Sequence, residues 1–242
     1  MEPKVIPVVI VARNSLALTK RAVKSVLAQD VTCSLLVVNN ASTDGTGPWL
    51  RTKEFAFGEF SEQRSLAACW NCALGTFWFM GFERALVLNN DVELAPYTAR
   101  YLSSCLDNPD YWQGFVTGIG VSDPKQTKTE EEASTWSYHI RPHPDFSCFM
   151  ISREVTDKVG WFDEDYFPAY AEDADYHVRM HRAGIKAVSV DLPFLHYSAG
   201  TLKNASPAEQ ARIRRGADSN RERFRARYGC LPGTPEYQEL FR

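Results

Sequence analysis

The sequence predicts an α/β fold: a single domain on a mostly parallel central sheet flanked by helices, followed by a C-terminal helical extension. Three observations predict it. Short runs rich in Val, Ile, Leu and Ala at 5–12, 35–38 and 85–88 have the continuous apolar character of strands buried on both faces. Helix-start chemistry lies between them, and strand–helix–strand repetition at this spacing gives a parallel sheet. The runs lead into the polar tips Arg13-Asn14, Asn39-Asn40 and Asn89-Asn90-Asp91. In open α/β sheets, ligands bind at the carboxyl ends of the strands.

The elements follow in order. Val5–Ala12 is the first strand, and Ser15 is positioned to cap a helix from Leu16 to Gln29. Leu35–Val38 is the second strand; Ser42-Thr43-Asp44-Gly45-Thr46 behind it is turn and helix-start chemistry. Ser61 is a cap for a helix through about Gly75. Ala85–Leu88 is the next strand, and Pro96 suits the first turn of a further helix. The polar stretch 122–135 reads as a mobile loop. Residues 145–151 read as a strand, with Ser152 capping a short helix. Ala174–Arg182 is a helix stopped at Gly184. Ile185–Val190 is a strand followed by Pro193 to His196. Ser206-Pro207-Ala208-Glu209 has the form of a capping box and opens a last helix to about Tyr228. Residues 1–202 are one domain, divided at 95/96, and 203–242 form the helical extension.

Composition narrows the function classes. A chain of 242 residues with 44% hydrophobic and 24% charged residues is ordinary for one α/β domain. Its formal net charge of −3 gives no global basic field for nucleic acid or an anionic membrane. No run reaches the ~18 apolar residues of a spanning helix, and the first apolar run has no cleavage-site pattern behind it. The expectation is a cytoplasmic protein without an integral membrane segment. Cys69-Trp70-Asn71-Cys72 has C-x-x-C spacing but no second pair for zinc, and reads as thiols on a helix.

Three constellations can carry chemistry. Asp91, at a strand end beside two asparagines, can hold a divalent cation through oxygen or simply cap a turn. Glu172-Asp173-Ala174-Asp175 follows the aromatic stretch Tyr166-Phe167-Pro168-Ala169-Tyr170. Carboxylates at a helix start gain from the helix dipole, yet beside aromatics they are also what a general base facing a sugar looks like. His196 is either structural or the second ligand of a metal site whose other ligand is distant in sequence. His177 and His181, spaced i, i+4, lack the glutamate of a zinc-protease motif and read as ordinary helix residues.

In this order, these motifs resemble those of the family 2 inverting glycosyltransferases of the GT-A fold, over about residues 5–200. Val38-Asn39-Asn40-Ala41-Ser42-Thr43-Asp44-Gly45-Thr46 is close to the family's V-D-N-x-S-x-D-G-T. Gln63, Ser65, Ala67, Cys69 and Asn71 fall on its N-x-G-x-A-x-A-x-N helix. Leu88-Asn89-Asn90-Asp91 resembles the variant metal motif L-N-x-D, and Val159 to Glu164 resembles V-G-G-F-D-E. Tyr170 to Tyr176 with Arg179 and Ala183-Gly184 resembles Y-x-E-D-x-D-L-x-x-R…A-G, and His196 falls on a late histidine.

The resemblance implies a Rossmann-like nucleotide-binding half at 1–95 and an acceptor and catalytic half at 96–202. It implies transfer of a hexosyl or pentosyl group from a nucleotide-diphosphate sugar to an acceptor hydroxyl. Asp173 would be the general base and Glu172 its neighbour in acceptor binding. Asp91 and His196 would hold a divalent metal, Mn2+ or Mg2+. Ala12, Arg13, Asn14 and Asn39 would line the nucleotide, with Asn71, Asn90 and Asp91 completing the donor set. A UDP-sugar is the first donor expected, with dTDP- or GDP-sugars as alternatives. Asn39 stands where the family usually has Asp, and Asn89 where a D-x-D motif has its first acid. The acceptor would be a glycan, a lipid-linked sugar, a small molecule or modified DNA.

Two other readings compete. A sugar-phosphate nucleotidyltransferase needs a Gly-rich basic loop after the first strand, and Ala12-Arg13-Asn14-Ser15 has no glycine. A non-catalytic nucleotide-sugar-binding module would not need Asp91, Asp173 and His196 together. The segment 203–227 has eight Lys and Arg against Glu209, Asp218 and Glu222, a net +5. That is either a solvated helix face or a grip on an anionic acceptor.

Overall fold

The computed structural model describes residues 5–108, 114–134, 138–140, 144–197 and 205–242. Its strands are β1 (Ile6–Ala12), β2 (Cys33–Asn40), β3 (Ala56–Phe60), β4 (Arg84–Asn89), β5 (Val92–Glu93), β6 (Phe115–Val121), β7 (Tyr138–Ile140), β8 (Cys148–Ser152) and β9 (Val188–His196). The helices are α1 (Leu16–Leu27), α2 (Thr46–Leu50), α3 (Leu66–Phe79), α4 (Thr98–Asp107), α5 (Glu130–Ser134), α6 (Arg153–Val159), α7 (Glu172–Arg182), α8 (Pro207–Tyr228) and α9 (Pro235–Glu239).

The strands form one sheet in the order β3-β2-β1-β4-β8-β6-β9-β5, with β7 paired on β9. β1 to β4 are mutually parallel through the pairs β1–β2, β1–β4 and β2–β3. β8 runs antiparallel between β4 and β6, which returns β6 and β9 to the direction of β1. Six strands therefore run one way, and β5, β7 and β8 the other. The sheet is mostly parallel, as expected from the sequence.

Helices cover both faces. In β1 the side chains of Ile6, Val8, Ile10 and Ala12 enter a core with α1 and α4, while Val9 and Val11 enter a second core with α3, α6 and α7. Such two-sided burial is why the strand reads as an unbroken apolar run. A third, smaller core joins α7 to the C-terminal helices through Tyr166, Val178, Phe224 and Tyr237.

Several local expectations are corrected. Ser15 makes no side-chain cap; it is left-handed at φ 58°, and Leu16 N–H instead donates to Asp44 Oδ2 at 3.0 Å. The cap of α3 is Ser65 rather than Ser61, its hydroxyl accepting from Ala68 N. Pro96 precedes α4 by two residues. Residues 122–134 contain a 3-10 turn at Pro124–Gln126 and helix α5, tied to the body by Arg100–Glu130 and Lys128–Asp191 ion pairs. β9 runs through Pro193 to His196, because Pro193 opposes Ile119 beside an irregularity in the β6 ladder.

Ser206 does cap α8, yet Glu209 does not close the box: its carboxylate binds Arg13 and Arg212. Lys203, the boundary at 202/203 and the polar segment after Tyr197 lie outside the described residues. Among those described, no helix is long and apolar enough to cross a membrane.

Candidate active site

One cavity of about 580 Å³ opens at the carboxyl ends of β1 and β4. It gathers Arg13, Asn90, Asp91, Glu172, Asp173 and His196 from four separate stretches of sequence. Ala12, Asn14, Asn39 and Asn71 lie outside its lining.

Asp91 and His196 meet because β5 pairs with β9. Val92 stands opposite His196, and Tyr197 N–H donates to Asp91 O at 2.9 Å. His196 Nε2 then lies 3.5 Å from Asp91 Oδ1. Burial works to lower the imidazole pKa, but the Asp91 hydrogen bond and charge, with Asp145 beyond, outweigh it and raise it. Asp145 also lines the cavity, its carboxylate accepting from Ser147 N at 2.9 Å and Gly120 N at 3.2 Å. Gly120 makes this possible: a Cβ there would meet Asp145 Oδ2 at 2.5 Å and His196 at 3.4 Å.

Carboxylate and imidazole are suitable donors for Mn2+ or a related cation. Among the described residues, no group of three or more His, Cys, Asp and Glu is poised to hold an ion. Asp91 and His196 would supply two protein ligands to such an ion, and an ion of this kind commonly completes its shell with substrate phosphate and water.

The second pair of acids lies at the start of α7. Tyr170 and Ala171, at φ 81° and 72°, are both left-handed, a conformation that costs non-glycine residues roughly 1–3 kcal/mol each and clusters at functional sites. The turn is held by Leu66 N–H on Pro168 O at 2.9 Å and by Asn220 Nδ2 on Ala169 O at 2.8 Å. It delivers Tyr170, Glu172 and Asp173 to the cavity. Glu172 is 3% exposed, and Oε2 has no hydrogen-bond partner among the described residues. Burial first, and the Asp173 charge second, push its pKa well above the usual carboxylate range. Asp173 Oδ1 accepts from Ala174 N at 2.8 Å.

The remaining residues singled out in the sequence are engaged within the protein. Arg13 donates to Asn40 O at 3.0 Å and to Ala41 O, and pairs with Glu209 at 3.2 Å. Asn90 clips the site together through Asn14 O and Thr19 Oγ1, both at 3.0 Å. Asn14 Oδ1 accepts from Thr43 N at 2.7 Å. Asn39 gives its NH2 to Glu59 at 2.8 Å and accepts from Ser42 N at 3.1 Å. Asn71 ties α3 to Phe162 through both its amide atoms.

Sequence reasoning missed Asp145, Trp70, Tyr170 and Ile213 as cavity residues. Tyr170 had a visible signal in the aromatic stretch before the acids. Asp145 lies three residues before the antiparallel strand β8, and the direction of β8 brings it to the same end of the sheet.

No family model matches the chain. A galactofuranosyl glycosyltransferase of Leishmania donovani is 35% identical over 92 residues, which is 37% of this chain and 21% of that protein. The chain thus matches about a fifth of that relative's length. Among solved structures, the mannosyltransferase PcManGT from Pyrobaculum calidifontis, in complex with GDP-Man and Mn2+, matches with a TM-score of 0.64 and 21% identity. That match covers 100% of this chain and 68% of the mannosyltransferase. S. aureus TarS 1–349 matches at TM-score 0.58 and 13% identity, over 98% of this chain and 78% of its own. GalNAc-T7 with UDP, GalNAc and Mn2+ matches at 0.59 and 13% identity, over 80% of this chain and 43% of its own. The chain has the α/β fold these proteins share, the GT-A fold.

Proposed function

We propose that the chain is a glycosyltransferase that moves a sugar from a nucleotide-diphosphate donor to an acceptor hydroxyl with inversion at the anomeric carbon. The observation that carries this reading is that one cavity holds both the Asp91–His196 pair and the Glu172–Asp173 pair. The partial sequence match to a galactofuranosyl transferase and the shared fold support it.

Asp173 is the general base that takes the proton of the attacking hydroxyl. A positioned base contributes about 10²–10⁴-fold to such a step. A single base opposite the leaving group leads to inversion, by the logic of inverting glycosidases. Glu172, whose protonated form burial favours, is a hydrogen-bond donor to the acceptor when it holds its proton. Asp91 and His196 would hold a divalent metal, which stabilises negative charge on the departing diphosphate. Mn2+ is the first ion to test, since two of the similar structures contain it. Asn39 and Glu59 stand at the base-binding strand tip. With Asn39 already bonded at both amide atoms, UDP-, dTDP- and GDP-sugars are all donors to test. Residues 203–242 act with the acceptor half rather than as a separate unit.

The test is nucleotide release from these donors with Mn2+, with and without chelator, by wild type and Asp173→Asn. Metal-dependent release that collapses in the variant is the expected result. Equal, slow release by both proteins with every donor would leave a non-catalytic binding module as the better reading.

A further inference from the structure

We infer that α8 is the wall that sets the size of the acceptor pocket, with Ile213 as its selectivity residue, and that the acceptor is a glycoside presenting an apolar face there. This rests on the glycosyltransferase reading and adds the element that chooses the acceptor.

Ile213 lines the cavity and is 7% exposed. It shares a helical stripe with Asn220 and Phe224, at i+7 and i+11, the other two buried residues of α8. The three do different work. Phe224 fills the third core, Asn220 holds Ala169 O, and Ile213 faces the cavity. The helix therefore cannot roll to hide Ile213 without pulling Phe224 from its core.

Its distance from the acidic loop is equally fixed. A Cβ on Gly216 would lie 3.0 Å from Phe167 O and closer still to Pro168. The helix backbone thus rests directly on the 167–169 turn that leads to Asp173. At its N-terminal end a clamp holds it: Glu209 bonds both Arg13, at the tip of β1, and Arg212, which also reaches Gln63.

The residues that share the cavity with Ile213 decide which substrate it meets. α8, the 167–170 turn and the start of α3 are joined by the Arg212–Gln63 and Leu66–Pro168 contacts. Leu66, Trp70, Pro168 and Tyr170 all line the cavity with Ile213. None of these side chains carries a charge to hold a phosphate. They line the same cavity as Asp173, and a base must lie within hydrogen-bond reach of the hydroxyl it deprotonates. The apolar, aromatic surface that shares the base's cavity is therefore where the acceptor ring or its aglycone packs.

The experiment compares wild type, Ile213→Ala, Ile213→Val and Ile213→Trp as full chains, using methyl, octyl and p-nitrophenyl galactosides and mannosides. Transfer is measured with whichever donor the wild type hydrolyses, and binding by quenching of tryptophan fluorescence. A change of one or two methylenes in an apolar pocket changes discrimination by about 10–200-fold. The expected result is a rise of about tenfold in the p-nitrophenyl-to-methyl preference for Ile213→Ala and a comparable fall for Ile213→Trp. Acceptor KM should shift against donor KM. Ile213→Val, the smallest change, should move the preference in the same direction as Ala even if Trp fails to fold.

Unchanged preference in folded Ala and Val variants overturns the inference and leaves the transferase reading standing. No detectable binding of any of these glycosides to wild type overturns the proposed acceptor class. Absence of metal-dependent donor hydrolysis by wild type overturns both readings.

Discussion

The two halves of the sheet reach the same cavity by different means. In the N-terminal half, β1, β2, β3 and β4 are parallel and adjacent, and the polar tips follow directly from where the apolar runs stop. Three buried amides there are bonded at the rim: Asn39 to Glu59 of β3, Asn40 to Arg64 O before α3, and Asn90 to Thr19 of α1. In the C-terminal half the sheet is mixed, and the cavity residues come from a turn, a helix start and a distant helix. Two buried acids of α7 differ there: Asp175 is paired with Arg179 and Arg227, whereas Glu172 has one oxygen without a partner among the described residues. A parallel strand end supplies a rigid rim from local sequence. An exposed, strained turn can bring reactive carboxylates to that rim only with help from elements far along the chain.

The sharpest test of that division is to remove one reactive group from each half. Asp173→Asn is expected to lower transfer by about 10²–10⁴-fold, the usual contribution of a general base, while nucleotide with Mn2+ still raises Tm. Asp91→Asn is expected to abolish the Mn2+-dependent part of that Tm shift, because ligand stabilisation follows the affinity for the folded state. Loss of the nucleotide shift in Asp173→Asn would erase the distinction between a donor half and an acceptor half.

Stability gives the next largest effect. Phe224 is fully buried between α8 and α7, and Phe→Ala at such a site costs about 3–5 kcal/mol. Urea unfolding of Phe224→Ala should show a loss of this size. At temperatures where the variant stays folded, acceptor KM should rise more than donor KM. Asn71→Ala is expected to cost about 1–3 kcal/mol by leaving Phe162 N–H and C=O without their amide partner. A donor KM that rises at least tenfold in Asn71→Ala would instead show that the residue touches the nucleotide sugar.

The same contrast explains what was legible in the sequence. β1, β2 and β4 could be read because both their faces are buried, and Thr46 N–H does bond Asp44 as the turn chemistry indicated. β3, with the pattern Ala-Phe-Gly-Glu-Phe, is a half-exposed edge strand without an apolar run, and β6 is interrupted by Gly118 and Gly120. Asp91, Glu172, Asp173 and His196 stood out as acids and imidazole in suggestive contexts. That they share a cavity depends on β5–β9 pairing, and that Ile213 closes it depends on where α8 packs; a local signal gives the helix but not its packing. The basic character of α8 was visible, but its use was not. Arg212, Arg223, Arg225 and Arg227 are spent on acids of the same chain, leaving Arg214, Arg215 and Arg221 as exposed cations without an ion pair among the described residues.

The smallest expected effect separates the halves by titration. Glu172 is buried and its pKa is raised, chiefly by desolvation and then by Asp173. The unfolded chain ionises this glutamate near the ordinary value of about 4.3. Below that pH both states hold the proton and Glu172 has no effect on the pH dependence of stability. As pH rises, the unfolded state releases the proton first, so folding stability falls with pH until the folded state can ionise too. Glu172→Gln removes this penalty. The variant should match wild type below about pH 4 and gain at pH 7. The gain is read as a higher Tm than wild type at pH 7 and an equal Tm at about pH 4, its sign set by the direction of the shift. The amides Asn39, Asn40 and Asn90 do not titrate, so Asn90→Ala should lower Tm by the same amount at both pH values. Parallel pH–Tm curves for Glu172→Gln and wild type would mean that the acid at the start of α7 is already ionised, and that the two halves hold their buried polar groups in the same way.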